Sequence, residues 1–142
     1  MDVTQSSKSP SDWTEIDSSY RFPTLFLASK AVAWLLLGSI FSLIASIKMH
    51  SPSFLASCPW VTYGVMIPAA LNAVVYGFAL QGAFAALLWI TMRLGQVKLV
   101  GPGYLFIGSA LWNIGVLLGV IGIMAGHGSG HTYLEMPGFV SP

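Results

Sequence analysis

Charged residues are scarce in this chain. They make up 8% of its 142 residues, while 55% are hydrophobic, whereas ordinary soluble domains contain roughly 25% charged residues. Between Val61 and Met92 there is no Asp, Glu, Lys, Arg or His. This deficit excludes an ordinary soluble domain and indicates an integral membrane protein. A formal net charge of +1 gives no reason to expect nucleic acid as a partner.

Cysteine is equally scarce. Cys58 is the single cysteine, which excludes an intrachain disulfide and any metal site built from several cysteines. A long polar or mixed stretch precedes the first apolar run, and this argues against an N-terminal signal peptide.

The apolar runs predict an all-α fold with three transmembrane helices, at residues 24–47, 61–92 and 104–125. Each run has at least the roughly 20 residues that a helix needs to cross the hydrocarbon layer. The helices would form one transmembrane domain, residues 23–126. We expect the polar segment 1–22 to be flexible or to lie on a partner, and residues 127–142 to form an outer tail.

The basic residues predict the orientation of these helices. One side of the membrane would carry five of them and the other side one: Lys8, Arg21, Lys30, Arg93 and Lys98, against Lys48. Because basic residues concentrate in cytoplasmic segments, the N-terminus is predicted to be cytoplasmic.

Small residues mark the predicted helix-packing faces. In the second helix they recur every fourth position, and in the third helix glycines fall within roughly 60° of one another: Ala69, Ala73 and Gly77, continued by Gln81; then Gly108, Gly115, Gly119, Gly122 and Gly126. Such faces allow a second helix, within this chain or in another subunit, to approach closely. Asn72 and Asn113 are expected to hydrogen-bond across helix interfaces.

The start of the second helix, Tyr63-Gly64-Val65-Met66-Ile67-Pro68-Ala69-Ala70-Leu71-Asn72, resembles a segment of the haem–copper oxidases. In the catalytic subunit of the cbb(3)-type and nitric-oxide-reductase-like branch, this segment has the pattern aromatic-Gly-Arg-x-Arg-Pro-x-His-x-Asn. Its His is an axial ligand of the low-spin haem. Tyr133-Leu134-Glu135-Met136-Pro137 is similar to the family's segment before a fourth helix. The resemblance covers most of the chain from the first helix onward and implies the same orientation.

The chain departs from this pattern at three chemically important positions. Ala70 stands at the haem-ligand position, and Val65 and Ile67 stand where the resemblance places the arginine partners of the haem propionates. A methyl group has no lone pair for iron, and an apolar side chain does not balance a carboxylate. We therefore expect no catalytic residue, cofactor-binding residue or metal ligand in this chain, with haem and copper held by partner chains. For His127 and His131, a solvated turn is favoured over a metal site.

These observations favour a non-catalytic membrane subunit of a respiratory terminal oxidase complex in the bacterial inner membrane. It would resemble the N-terminal part of cytochrome c oxidase subunit I and pack against a larger, multi-helix, haem-containing subunit and other respiratory subunits. Cytochrome c oxidase-type oxidoreductase activity would belong to the complex. Two alternatives stay open: a haem-binding half of a split cytochrome oxidase subunit I, and an unrelated small membrane assembly factor.

Overall fold

The computed structural model describes residues 10–128, with side chains from residue 14 onward. It contains three long helices, α1 (Pro10–His50), α2 (Tyr63–Gly95) and α3 (Pro102–Met124). All three are long and apolar enough to cross a membrane, and the described residues form no strand. The predicted all-α class with three transmembrane helices is therefore confirmed.

Helix α1 begins much earlier than predicted. The apolar run starts near Thr24, but the helix starts at Pro10, so the expectation of a flexible segment is wrong for residues 10–22. The extra turns continue the buried face of the helix, because Ile16 and Tyr20 are almost fully buried. Hydropathy missed these turns because they combine a polar outer surface with one apolar face.

Helix α2 contains a π-helical segment, Ala73–Ala79, between two α-helical parts, Tyr63–Asn72 and Leu80–Gly95. The Leu80 N–H donates to the carbonyl of Val75, five residues earlier. A π turn leaves a backbone carbonyl without its usual partner. The indole N–H of Trp112 on α3 donates to the Tyr76 carbonyl over 3.0 Å and so satisfies one carbonyl of this segment.

Helices α1 and α2 pack antiparallel and closely. A Cβ atom placed on Gly77 would lie 2.4 Å from the Trp34 ring, and one on Gly38 would lie 2.7 Å from Val74. A side chain larger than glycine at either contact would therefore force the neighbouring side chain to shift. Trp34 belongs to a buried cluster that is completed by small residues of α2 and branched residues of α3: Ala69, Ala73, Val116, Val120 and Ile123.

Helix α3 follows α2 closely only in the half of the bundle that contains the 51–62 loop, which we call the outer half. In the inner half, α3 instead meets α1, where the Phe106 ring lies 5.7 Å from Phe22 and 5.0 Å from Phe26. The inner parts of α2 and α3 therefore diverge and leave a groove between them.

Candidate functional site

The residue at the haem-ligand position is enclosed by the chain itself. Ala70 is 3% exposed, and its carbonyl oxygen would lie 3.3 Å from a Cβ atom on Gly38 of α1. Val65 and Ile67 are half-buried and apolar. A larger side chain at position 70 would need the surrounding helices to move, because protein interiors are close-packed.

The two asparagines behave differently. Asn113 accepts a hydrogen bond from the Trp34 indole N–H over 2.7 Å, which links α3 to α1 and confirms the prediction for this residue. The Asn72 amide donates to the Pro68 carbonyl over 2.9 Å within α2, so the prediction of a bond across an interface is wrong for Asn72. That bond is local to α2, because the Pro68 carbonyl lies four residues earlier on the same helix.

The histidines show no arrangement for metal binding in the part of the chain that the structure describes. His50 is exposed at the end of α1, where its Nδ1 contacts the Ser46 carbonyl at 3.3 Å. His127 is exposed after α3, while His131 and Glu135 lie outside the described residues. Within residues 10–128, no three His, Cys, Asp or Glu side chains are grouped as a metal site requires.

The predicted packing faces are used unequally. Ala69 and Ala73 are fully buried and Gly77 lies under Trp34, so the face of α2 packs against this chain's own helices. On α3, Gly122 is buried. The other glycines of that face within α3 are open, since no described atom outside the local helix backbone lies within 4 Å of a Cβ added there: Gly108, Gly115 and Gly119. Gly126 lies beyond the end of α3, in a turn where its φ is 84°, and so is not part of the helical face.

Two ion pairs join the first turns of α1 to the last turn of α2 and to the loop that follows it. Asp17 pairs with Arg93 at 2.9 Å, and Glu15 pairs with Lys98. The Leu99 N–H donates to the Ser19 hydroxyl over 3.2 Å. We call these three contacts the inner clamp. Its partners are some eighty residues apart in the chain, so no local sequence pattern predicts it.

Of the two carboxylates in the inner clamp, that of Asp17 is stabilised in its charged form. The Tyr20 hydroxyl donates to Asp17 over 2.5 Å. This bond, together with the Arg93 guanidinium, lowers the pKa of Asp17 below its usual value. Asp17 precedes the apolar run that starts near Thr24, so the pair lies outside the predicted hydrocarbon region.

The groove between the inner halves of α2 and α3 has a volume of about 390 Å³. Its lining is predominantly apolar and aromatic, and Gln81 and Ser109 are polar exceptions. Gln81 is 2% exposed, and neither its amide nitrogen nor its amide oxygen has a hydrogen-bond partner among the described residues. The sequence placed Gln81 at the end of a small-residue face but did not indicate an unsatisfied amide.

Fold and composition together define an all-α integral membrane protein with three spanning helices. Comparison with curated proteins then shows a similarity to cytochrome c oxidase subunits. The chain is 25% identical over 108 residues to the cytochrome c oxidase subunit 1 homolog of Azorhizobium caulinodans, covering 74% of this chain and 19% of that protein. It is 26% identical over 121 residues to the Cbb3-type cytochrome c oxidase subunit CcoN1 of Stutzerimonas stutzeri, and the match covers 83% of this chain and 25% of that protein.

A third relative is the bacteroid cytochrome c oxidase subunit 1 homolog of Bradyrhizobium diazoefficiens, which is 23% identical over 116 residues. The match covers 80% of this chain and 21% of that protein. The chain thus spans about a fifth to a quarter of the length of these curated relatives. No protein-family model matches the chain. No solved structure matches it either.

Proposed function

We propose that this chain is a non-catalytic membrane subunit of a respiratory terminal oxidase complex. It would occupy a place like that of the N-terminal three helices of cytochrome c oxidase subunit I, in a bacterial inner membrane. Its function would be structural, with haem and copper held by a larger partner chain. The similarity to three oxidase subunits over most of this chain supports the oxidase context.

The non-catalytic role rests chiefly on Ala70. This residue stands where the resemblance places a haem ligand, it has no donor atom, and α1 covers it. Loss of the ligand alone would leave room for a substitute from another chain. Here the neighbouring helix packs against the position, so a substitute ligand would have to displace part of α1.

The apolar residues at the propionate positions support the same conclusion. Val65 and Ile67 offer neither charge nor hydrogen-bond donors, and a haem carboxylate without a cationic partner is poorly stabilised near hydrocarbon. A split haem-binding half of subunit I would need these partners as well as the ligand. This chain supplies none of them at the matching positions.

The test is purification of the tagged full-length chain from its native membranes in mild detergent, followed by a reduced-minus-oxidised absorption spectrum. We expect a haem-containing subunit to co-purify at fixed stoichiometry, with a spectrum that Ala70→Gly leaves unchanged. If the isolated chain, reconstituted with haem b, shows a low-spin band that a single substitution abolishes, the split-oxidase alternative is correct instead. If no haem-containing partner co-purifies, an unrelated assembly role replaces both.

A further inference from the structure

The groove between the inner halves of α2 and α3 combines three features that are unusual together inside a membrane. It is open at the surface of the bundle, aromatic residues line it, and Gln81, whose amide has no hydrogen-bond partner among the described residues, also lines it. The aromatic residues include Phe84 and Trp112, whose rings meet edge-to-face with centroids 6.2 Å apart. Leu27 of α1 also lines the groove.

Gln81 lies deep in the membrane. It precedes Arg93, at the inner end of α2, by twelve residues, which corresponds to about 18 Å along a helix in a hydrocarbon layer roughly 30 Å thick. Lipid headgroups and ester groups lie near the membrane surface and do not reach this depth. A hydrogen-bonding group that meets Gln81 must therefore itself be carried into the bilayer interior.

The Gln81 side-chain amide determines which kind of group can be its hydrogen-bond partner. A primary amide has two N–H donors and a carbonyl acceptor, and both atoms of Gln81 lack partners among the described residues. Leaving such a group unsatisfied in an apolar environment is unfavourable. The best complement is a side chain that also carries both a donor and an acceptor, such as Asn, Gln, Ser or Thr.

We propose that this groove is the docking site for a transmembrane helix of another subunit, and that Gln81 forms paired hydrogen bonds with a donor-and-acceptor side chain of that helix. The inference rests on the proposed function, because it locates the contact with the partner subunit. The open Gly108 of α3 lines the same groove and allows the docking helix to approach closely. In each oxidase relative, the matched segment is only a fifth to a quarter of a longer chain, so further chain accompanies this segment there.

Contact with the docking helix requires one local change. The Gln81 amide is enclosed in the isolated chain, so its side chain must rotate toward the groove when the partner binds. Gln81→Leu therefore has effects of opposite sign. It should raise the melting temperature of the isolated chain, because an unsatisfied amide is removed. It should weaken association with the partner roughly five- to thirty-fold, because the interhelical hydrogen bonds are lost.

The direct experiment is photo-crosslinking in native membranes. The residue to replace is Phe84, with the aromatic photo-crosslinker p-benzoylphenylalanine, because Phe84 lines the groove and is 52% exposed. The matched control is the same replacement at Leu36, which is 61% exposed on α1 and does not line the groove. We expect the Phe84 position to give a discrete adduct with one polypeptide of the haem-containing complex. Adding Gln81→Leu should reduce that adduct, whereas adding Thr91→Val, which removes an exposed hydroxyl from the same groove, should not.

Other outcomes separate this inference from the proposed function. If Phe84 gives only lipid or quinone adducts, or the same polypeptide adducts as Leu36, the docking site is wrong, although a co-purifying haem subunit would still support the structural role. Equal effects of Gln81→Leu and Thr91→Val on the adduct would also overturn the role of Gln81. If no haem-containing partner is recovered, both proposals fail.

Discussion

At the scale of single residues, a few contacts determine how closely the helices approach. Trp34 packs its ring against Gly77 of α2 and donates its indole N–H to Asn113 of α3. One side chain thus connects all three helices. The buried Gly38 and the small Ala70 lie at the neighbouring contact between α1 and α2. Because both residues are small, the two helices approach closely there, and no space is left between them for a bulky ligand.

The Gly77 contact gives the first prediction. Gly77→Ala should destabilise the protein by roughly 1–3 kcal/mol, because the new methyl group would overlap the Trp34 ring. Thermal unfolding in detergent, followed by circular dichroism, measures this difference. The control is Gly82→Ala on the same helix, where no described atom would lie within 4 Å of the added carbon. Gly82→Ala should be neutral or stabilising by up to about 1 kcal/mol, and equal losses for the two variants would contradict the predicted packing.

The Trp34–Asn113 hydrogen bond gives the second prediction. Trp34→Phe removes the donor and should cost about 0.6–2 kcal/mol beyond the change in packing. A double-mutant cycle with Asn113→Ala isolates this term, because the two substitutions should be less than additive. Strict additivity in the measured unfolding free energies would show that the bond contributes nothing to stability.

At the scale of helices, the π segment of α2 organises the bundle. Ala73–Ala79 contains both Gly77, against which Trp34 packs, and Tyr76, whose carbonyl accepts the Trp112 N–H. The two tryptophans therefore hold the segment from α1 and α3. Beyond it, α2 and α3 diverge, and this divergence creates the groove that contains Gln81.

The inner clamp gives the third prediction, because it holds the first turns of α1 against the end of α2 and the loop after it. Arg93→Gln removes its ordered ion pair, so amide hydrogen exchange over residues 14–21 should become faster. Lys48→Gln, at the opposite end of α1, should leave that exchange unchanged. The charge-swapped double variant Asp17→Arg/Arg93→Asp should recover much of the protection. If Arg93→Gln leaves the exchange rates unchanged, the clamp does not stabilise these turns.

The pH dependence of the clamp follows from Asp17. Its pKa is lower in the folded protein than in an unfolded chain, so the carboxylate contributes stability above its unfolded pKa of about 4. That contribution is lost as the pH falls through the lowered folded value. Exchange over residues 14–21 should therefore show no clamp-related change between neutral pH and about pH 5, once intrinsic exchange rates are corrected. A midpoint near neutrality would mean that another group controls the clamp.

The sequence predicted the helices better than their details, and the reasons are physical. The scarcity of charge from Val61 to Met92 is enough to predict a membrane-spanning helix. The sequence did not predict the early start at Pro10, because those turns are held by residues distant in the chain: Arg93 in the last turn of α2 and Lys98 in the loop after it. Similarly, the π segment depends on tryptophans of two other helices, and no local propensity encodes it.

In the candidate site, too, some features could be predicted from the sequence and others depend on how the helices pack. Ala70 at the ligand position follows directly from comparing residues with a family pattern, whereas its enclosure by Gly38 is visible only in the packed bundle. Gln81 was noticed for its spacing alone, because hydrogen-bond satisfaction depends on where neighbouring helices lie.

At the scale of the whole molecule, the chain is a three-helix membrane unit with one packed side and one incomplete side. Trp34 and Ala73 lie in the packed cluster, and Gly108 and Gln81 mark the incomplete groove. A unit of this form is suited to join a larger membrane subunit, because the groove leaves one of its sides without a packed helix among the described residues. Its similarity to longer oxidase subunits agrees with this proposal.

The proposed structural role can be tested by a cryo-electron-microscopy map of the complex purified from native membranes with this chain as the affinity-tagged subunit. We expect this chain's three helices to lie beside a haem-containing subunit, with Ala70 covered by α1 and every iron atom bonded to residues of other chains. Iron density bonded to any atom of this chain, or a purified particle without haem, would contradict that role.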